Sequence, residues 1–281
     1  MLLQFNHFKT LKGFLQSKLE NHQEIYLYLA KSNISEKDLN TLGSALRKCV
    51  LMRNFSAYLG LNQIDSSGVS QAFCAFQDLK NIQKVFLDLR QNNIGIQGSH
   101  DLGVYLANMN NIQNIELNID KNNIGDEGIS QFSRSLPQIK HLQSLTLNLS
   151  NNKITSQGMA VLGSNLGSCS ALQQLNLYLN NNKIGPQSFL NLGRGLASCK
   201  QLEILKLFVC DTDIGAQGAQ ILGSQFEKCD KIKNLIINFS SCGIQDEGIS
   251  SFSASLIKCE QLSSLSLEIQ QATCYLLNIC N

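Results

Sequence analysis

The chain has 281 residues, of which 43% are hydrophobic and 16% charged, and it could hold one large domain or two ordinary ones. Its net charge of +2 at pH 7 and its lack of a basic run give no electrostatic reason to expect nucleic acid or an anionic membrane surface as a partner. Two prolines and no tryptophan exclude long proline-rich linkers, and no stretch approaches the ~18 consecutive apolar residues of a membrane span.

The first 24 residues carry apolar side chains at helical spacing. Phe5, Phe8, Leu11, Leu15 and Leu19 form one stripe, which predicts a helix over residues 1–24 that caps the array that follows. A helix that lies on a membrane surface or docks a partner is the alternative, although its polar face carries too few cations for strong lipid binding. The segment has no uninterrupted apolar stretch and no small-residue cleavage site, so we do not expect a signal peptide.

Residues 25–270 follow a 30-residue repeat. Isoleucine recurs at this interval eight times without insertion or deletion, at Ile34, Ile64, Ile94, Ile124, Ile154, Ile184, Ile214 and Ile244. Three more apolar columns alternate at two-residue spacing, as in Leu145, Leu147 and Leu149, which is typical of a strand with one buried face. We therefore expect about eight full repeats and a ninth strand near residues 265–269.

Each strand is followed by a polar turn and a helix. The turn carries an asparagine column at Asn62, Asn92, Asn122, Asn152 and Asn182. A side-chain amide at this point can bond to backbone groups of the turn that would otherwise be buried and unpaired. After a glycine column, the helix shows a buried stripe with spacing i, i+4, i+7, as in Leu162, Leu166 and Cys169.

Cysteines also follow the repeat. Cys169, Cys199, Cys229 and Cys259 occupy one column, and Cys49 falls on it further back. One cysteine per repeat at one structural position indicates a small buried apolar residue and not a disulfide. The sequence contains no CxxC spacing, so a zinc site is not expected. Buried free thiols favour a reducing compartment. We therefore expect a cytoplasmic protein whose cysteine column is reduced.

One repeat reads LxxLxLxLxxNxIxxxGxxxLxxxLxxC. It resembles the ribonuclease-inhibitor type of leucine-rich repeat, whose signature is LxxLxLxxNxI followed by a full α-helix. The resemblance covers about residues 25–270 and implies a right-handed α/β solenoid, or horseshoe, with a parallel inner sheet and α-helices on the convex face. The departure is one extra alternating apolar residue, Leu149 in LTLNLSNNKI, which is expected to lengthen each strand by two residues.

The pattern stops after the ninth strand. In the short atypical tail, residues 271–281, Cys274 stands where isoleucine is expected, and neither the glycine nor the helix follows. Apolar residues beside an open strand edge, here Tyr275, Leu276, Leu277 and Ile279, would be an association hazard. Three alternatives stay open: the tail folds back as a cap, a partner associates with this C-terminal edge, or the chain is a fragment of a longer protein.

No catalytic pattern is found in the sequence. GxxxxGK[ST], GxGxxG after a strand, HExxH and GxSxG are all absent, and the four histidines share no column. The acid pairs Asp126–Glu127 and Asp246–Glu247 open predicted helices, where negative charge favours the helix dipole. We predict no enzyme activity, no cofactor and no metal site.

Two columns alternate with the buried leucines and face the concave surface of the predicted sheet. Large apolar side chains on them have no core-packing role, and they fall in two clusters separated by a polar stretch. The clusters comprise Tyr26, Tyr28, Tyr58 and Phe86 towards the N-terminus, and Tyr178, Phe208 and Ile236 towards the C-terminus. Strand propensity would select such residues but not their clustering. Because exposed aromatics are typical anchors of interfaces, we predict that these seven residues bind a partner protein.

The leading hypothesis is a protein-binding scaffold or adaptor that presents its concave face. Ribonuclease-inhibitor-type repeats occur in an enzyme inhibitor, in activators of a small GTPase, in innate-immune receptors and in cytoskeletal or ciliary scaffolds, so the resemblance does not choose among these settings. One alternative is a regulatory region of a larger signalling enzyme, such as a kinase, which the missing C-terminal cap favours. The other is a small-GTPase activator, for which Arg90 is the only arginine near the concave edge.

Overall fold

The computed structural model describes residues 6–270 as a series of strand–turn–helix units along one parallel sheet, with the strands in sequence order. The strands are β1 (His7–Phe8), β2 (Glu24–Tyr28), β3 (Asn54–Tyr58), β4 (Lys84–Asp88), β5 (Asn114–Asn118), β6 (Ser144–Asn148), β7 (Gln174–Tyr178), β8 (Ile204–Phe208), β9 (Asn234–Asn238) and β10 (Ser264–Glu268). The α-helices are α1 (Leu11–Leu15), α2 (Glu36–Leu46), α3 (Ser66–Phe73), α4 (Gly95–Ala107), α5 (Gly125–Ser133), α6 (Ser156–Gly167), α7 (Ser188–Ser198), α8 (Gly215–Phe226) and α9 (Gln245–Leu256).

The register of the sheet follows the repeat. From β2 to β10, each strand residue lies opposite the residue 30 positions further along the chain, so a column of the sequence becomes a row across the sheet. Hydrogen bonding continues past the five-residue strands. The Leu149 N–H donates to the Tyr178 carbonyl oxygen (2.8 Å), and the Asn151 N–H donates to that of Asn180 (2.9 Å). The additional apolar residue of each repeat therefore extends the pairing between repeats, although the regular strand ends one residue before it.

The core lies between the sheet and the helices. The inward strand positions and the isoleucine that follows the turn are fully buried in the middle repeats, as at Leu145, Leu149 and Ile154. They pack against the helix stripe represented by Leu162 and Leu166, which is also buried. The alternating and helical periods of the sequence thus meet in one continuous core, as predicted.

The asparagine column forms a ladder of hydrogen bonds between repeats. The Asn152 side-chain amide donates to the carbonyl oxygens of Ile119 (2.8 Å), Leu149 (3.1 Å) and Ser150 (2.9 Å). Its Oδ1 accepts a hydrogen bond from the Asn122 N–H (2.9 Å). One buried side chain therefore satisfies backbone groups of two successive turns, which would otherwise carry the cost of unpaired burial.

Glycines let the helices of neighbouring repeats approach closely. A Cβ atom on Gly248 of α9 would lie 2.7 Å from the Cα of Ala216 in α8, closer than real Cβ contacts. Further along the helices, a Cβ on Gly195 of α7 would overlap the carbonyl oxygen of Gly163 in α6. A larger residue at either position would therefore collide with the backbone of the neighbouring helix.

The segment before β2 differs from the single helix that its apolar stripe predicts. His7 and Phe8 pair with β2 and add a tenth strand to the expected nine, and only Leu11–Leu15 is α-helical. A 3-10 turn at Leu19–Asn21 then leads into β2. The prediction of one helix over 1–24 is wrong in residues 6–24, while a capping role for this segment stays a prediction.

Local side-chain bonds explain why the N-terminal helix is short. Thr10 begins α1 by accepting a hydrogen bond from the Gly13 N–H on its hydroxyl (3.1 Å). Beyond its end, the Ser17 hydroxyl donates to the Phe14 carbonyl oxygen (2.7 Å). Phe14 is the buried residue of α1, although it lies outside the predicted stripe. Phe5 of that stripe lies outside the described residues.

A second difference concerns α5. The predicted stripe of this helix extends through Leu136 to Ile139, but α5 ends at Ser133 and a 3-10 turn spans Leu136–Gln138. Pro137 lies in that turn, where its missing N–H and its ring disfavour a continued α-helix. The same change occurs without a proline after α3, which ends at Phe73 and is followed by a 3-10 turn over Cys74–Asp78.

The last described repeat leaves apolar surface uncovered. Ile257 at the end of α9 is 85% exposed. Leu262, Leu265 and Ile269 are half-buried where the equivalent residues of earlier repeats are buried. The predicted tail with Cys274 lies outside the described residues, so association through this edge stays a prediction.

Candidate functional site

The sheet face opposite the helices, called the open face below, is the concave surface of the sequence prediction. Side chains on the middle positions of each strand alternate between full burial under the helices and partial burial on the open face. All seven predicted partner-binding residues lie on the open face, at strand positions that alternate with the buried core.

The first aromatic cluster comprises Tyr26, Tyr28, Tyr58 and Phe86, and the structure adds His7 to it. The His7 ring stacks on Tyr26 with 4.4 Å between ring centroids, and Tyr28 stacks on Tyr58 at 5.0 Å. Phe86 continues the series at 4.7 Å from Tyr58, with a tilt of 42°. The His7 Nδ1 and the Tyr28 hydroxyl share a hydrogen bond of 3.1 Å. These rings form one connected surface from β1 to β4.

His7 could not be found from the repeat pattern. It lies in a two-residue strand that precedes the array, and it pairs with Tyr26 at a separation of 19 residues, outside the 30-residue register. No column of the sequence therefore contains it. Tyr28, which contacts it, is 37% exposed, the highest value among the seven predicted residues.

The second aromatic cluster comprises Tyr178, Phe208 and Ile236. Tyr178 and Phe208 lie opposite each other on β7 and β8, and their rings stack at 4.5 Å with only 4° between planes. Ile236 lies one strand further, opposite Lys206 on the neighbouring row. Half-buried Ile204 lies at the start of β8 on the same face and extends the apolar surface. It stands on a third alternating column, which the sequence prediction did not include.

Polar side chains between the two clusters are held by local bonds. The amides of Asn118 and Asn148 accept hydrogen bonds on Oδ1 from backbone N–H groups two residues on, each at 3.1 Å. Asn176 donates from Nδ2 to the Thr146 hydroxyl (2.8 Å), while its buried Oδ1 has no partner among the described residues. The middle of the open face is therefore polar and well ordered by strand-end bonds.

The structure corrects the expected exposure of Asp88. It stands on the same column as Tyr28 and Tyr58, for which the alternation predicts exposure to solvent, but it is only 5% exposed. Its carboxylate forms an ion pair with the Arg90 Nε (3.3 Å) and accepts a hydrogen bond from the Arg90 backbone N–H (3.2 Å). The Arg90 side chain in turn lies over Gly60, where a Cβ would be 3.0 Å from its Cγ. Asp88 and Arg90 thus stabilise the strand end and each other.

Glu116 is an acidic residue beside the first aromatic cluster. It lies exposed on β5 directly opposite Phe86, and desolvation by the surrounding groups raises the pKa of its carboxyl group. Burial likewise raises the pKa of the Tyr58 hydroxyl, and the neighbouring Tyr28 and Glu116 contribute to the increase. A groove of about 430 Å³ runs between these strands, lined in part by Tyr26, Phe86, Glu116 and Thr146.

The acid pair Asp126–Glu127 found in the sequence has structural partners. The Asp126 carboxylate accepts hydrogen bonds from the Thr155 N–H (2.7 Å), the Thr155 hydroxyl (2.6 Å) and the Gly158 N–H (3.0 Å). It therefore caps the start of α6 in the next repeat, a role beyond the predicted effect on its own helix. Glu127 accepts a hydrogen bond from the Gln131 side chain (3.0 Å) on the surface of α5.

The cysteines of residues 6–270 are all free thiols. Within the column, Cys169 and Cys199 are buried, while Cys229 and Cys259 are half-buried. Burial raises the pKa of Cys169, Cys199 and Cys229 to about 12. These thiols stay protonated near neutral pH, where the thiol form is the less reactive one.

Among the described residues, no three His, Cys, Asp or Glu side chains are grouped so that they could hold a metal ion. No helix in that part of the chain combines the length and the apolar character needed to cross a membrane.

Comparison with known proteins identifies the repeats. The family model for the leucine-rich repeat matches residues 111–133, 141–163 and 235–253. A search of curated proteins finds no match. Among solved structures, leiomodin-1 actin-binding site 2 (ABS2) is similar at 15% sequence identity and a TM-score of 0.42, over 59% of this chain and 92% of that one. The matched repeats and the ten-stranded parallel sheet with its alternating helices together show a leucine-rich-repeat solenoid.

Proposed function

We propose that this leucine-rich-repeat protein is a binding scaffold or adaptor whose open face receives a partner protein. One observation carries the proposal: two clusters of stacked aromatic rings lie on a face that is otherwise polar. These rings lie on the opposite side of the sheet from the core between sheet and helices.

Stacking makes the rings suitable as anchors. Tyr178 and Phe208 stack in parallel on each other across two adjacent strands. Because this contact restricts both side chains, they lose little conformational freedom on binding. Tyrosine and phenylalanine also offer large contact areas with only two side-chain torsions each. Such rigid aromatic residues on a regular sheet are typical of binding hot spots.

The repeat subtype and the cellular setting are inferred from the sequence pattern and from the cysteines. The repeat supports the ribonuclease-inhibitor subtype, and the protonated, buried cysteines support a reducing, cytoplasmic setting. We infer a non-enzymatic role. Arg90 offers little support for a GTPase activator, because it is paired with Asp88. No contact within residues 6–270 favours a regulatory region of a larger signalling enzyme over an adaptor.

The test compares partner capture by three forms of the full chain. The unchanged protein is used in lysate to identify partners by mass spectrometry, and the purified partner is then titrated against each form. The double variant Tyr178→Ala with Phe208→Ala is expected to lose about 2 kcal/mol of binding free energy, or roughly thirtyfold in affinity, if the rings are anchors. Thermal melting checks that this variant is folded.

The matched control removes apolar side chains from the helix side. Ile96→Ala with Ile257→Ala deletes two exposed large hydrophobic residues that lie on or beside outer helices. This control is expected to bind the partner as the unchanged protein does. Normal binding by the aromatic variant together with loss in the control would place the site on the helices and refute the proposal.

A further inference from the structure

Glu116 stands at the edge of an aromatic surface without a cationic partner. None of the ion pairs within residues 6–270 includes it, and no side-chain hydrogen bond there reaches its carboxylate. Burial alone raises the pKa of this group. By contrast, Asp88 on the neighbouring strand is neutralised by Arg90. Glu116 therefore presents its carboxylate on the open face without a paired cation.

The ring of Phe86 lies beside Glu116. The two residues are directly opposite each other in register, about 4.8 Å apart across the sheet. Tyr58 is enclosed between other rings, because Tyr28 stacks on it at 5.0 Å and Phe86 contacts it at 4.7 Å between centroids. Phe86 is therefore the ring of this series that lines the groove together with Glu116. Aromatic faces attract cations, most strongly where water is partly excluded.

Lys84 carries a positive charge in the same groove. It lies on β4, two residues before Phe86 on the same face of the sheet, and it lines the same groove. Lys84 is exposed and forms no ion pair with Glu116 among the described residues. Glu24 lies two strands away on the row of Lys84, where its carboxylate accepts a hydrogen bond from the Asn54 amide (2.7 Å).

We propose that Phe86 and Glu116 form a receptor for an arginine side chain of the partner protein, an assignment that rests on the proposed function of the open face. Arginine matches both parts of the site. Its planar guanidinium group stacks on aromatic rings while its N–H donors pair with a carboxylate. The more strongly hydrated lysine ammonium matches the ring faces less well.

The experiment uses defined peptides as probes and the full chain as receptor. Twelve-residue peptides of varied, uncharged sequence each carry one central arginine, and a paired peptide carries citrulline, the uncharged isostere, at the same position. The ratio of the two dissociation constants within a pair measures the contribution of the arginine charge to binding. The unchanged protein is expected to bind the best arginine peptide at least tenfold more tightly than its pair, as a charged hydrogen bond predicts.

Two single substitutions of matched size locate the effect. Glu116→Gln keeps the shape of the side chain and removes its charge, and it is expected to bring the ratio within twofold of one. Lys84→Gln removes the opposite charge from the same groove and is expected to leave the ratio unchanged or raise it. Thermal melts of both variants check the fold.

The inference is overturned if no peptide pair shows a preference for arginine, or if the preference persists in Glu116→Gln. Either result leaves the proposed function standing when partner capture still depends on Tyr178 and Phe208. If partner capture does not depend on those two rings, the proposed function itself is refuted, whatever the peptides show.

Discussion

At the scale of single residues, the buried amides have the clearest consequence. Asn152→Ala removes three donated hydrogen bonds and leaves backbone groups of two turns unpaired. We expect the free energy of unfolding to fall by about 1–3 kcal/mol. Urea denaturation followed by far-UV circular dichroism measures the change.

Asn148→Ala is the matched control, because it removes the same side chain four residues earlier on the open face. Its Oδ1 accepts a single hydrogen bond, from the Ser150 N–H. We expect a loss of about 1 kcal/mol at most. Equal losses for the two variants would show that the faces of the strand are assigned wrongly.

The buried thiols give a second prediction for individual residues. With pKa values raised to about 12 by burial, Cys169, Cys199 and Cys229 should react far more slowly with a thiol reagent at pH 8 in the folded chain than in urea. Peptide mapping of the alkylated protein identifies each site. Rapid labelling of these three in the folded state, or disulfides between them, would contradict the burial of the column.

The same pKa shift has a consequence for stability. An unfolded cysteine ionises near pH 8.5, whereas the buried thiols resist ionisation up to about pH 12. The unfolded state therefore loses protons first, and stability is complete below about pH 8.5 and falls as the pH rises towards 12.

At the scale of elements, the helices depend on glycine contacts between repeats. Gly195→Ala in α7 would place a methyl group on the Gly163 carbonyl oxygen of α6, so the helices must separate. We expect a loss of about 1–3 kcal/mol in unfolding free energy. Thermal and urea denaturation of the variant measure it.

Gly185→Ala serves as the control for this glycine. A Cβ there would lie 3.8 Å from the Ser156 hydroxyl oxygen, an ordinary van der Waals contact. We expect its effect to be within about 0.5 kcal/mol of zero. A Gly195→Ala variant as stable as Gly185→Ala would argue against the close packing of α6 on α7.

The elements also show where sequence reasoning succeeds and fails. Strands and helices inside the array could be predicted because two hydrophobic periods recur in register at every repeat. The segment before β2 occurs once, so its stripe was compatible with a helix while Thr10, Ser17 and strand pairing of His7 determined a different path. The 3-10 turn after α5 contains Pro137, but the equivalent turn after α3 has no proline, so proline alone does not determine where these helices end.

At the scale of the whole molecule, the sequence predicts which residues lie on the open face, but it does not predict which of their side chains contact each other. Alternation places Tyr58 and Phe86 on one face, yet their ring contact depends on side-chain torsions and on the diagonal between two rows. The pairing of Asp88 with Arg90 reversed its expected exposure for the same reason. Repeats fix which residues face outwards, whereas contacts between neighbouring side chains decide how much of each remains available.

The central claim, that the partner binds the open face, is tested most directly by hydroxyl-radical footprinting of the full chain with and without the captured partner. If the partner binds there, oxidation of Tyr28, Tyr178 and Phe208 falls severalfold in the complex, while oxidation of Ile96 and Ile257 on the helix side is unchanged. Protection of Ile96 and Ile257 with unchanged oxidation of the three aromatic residues would contradict it.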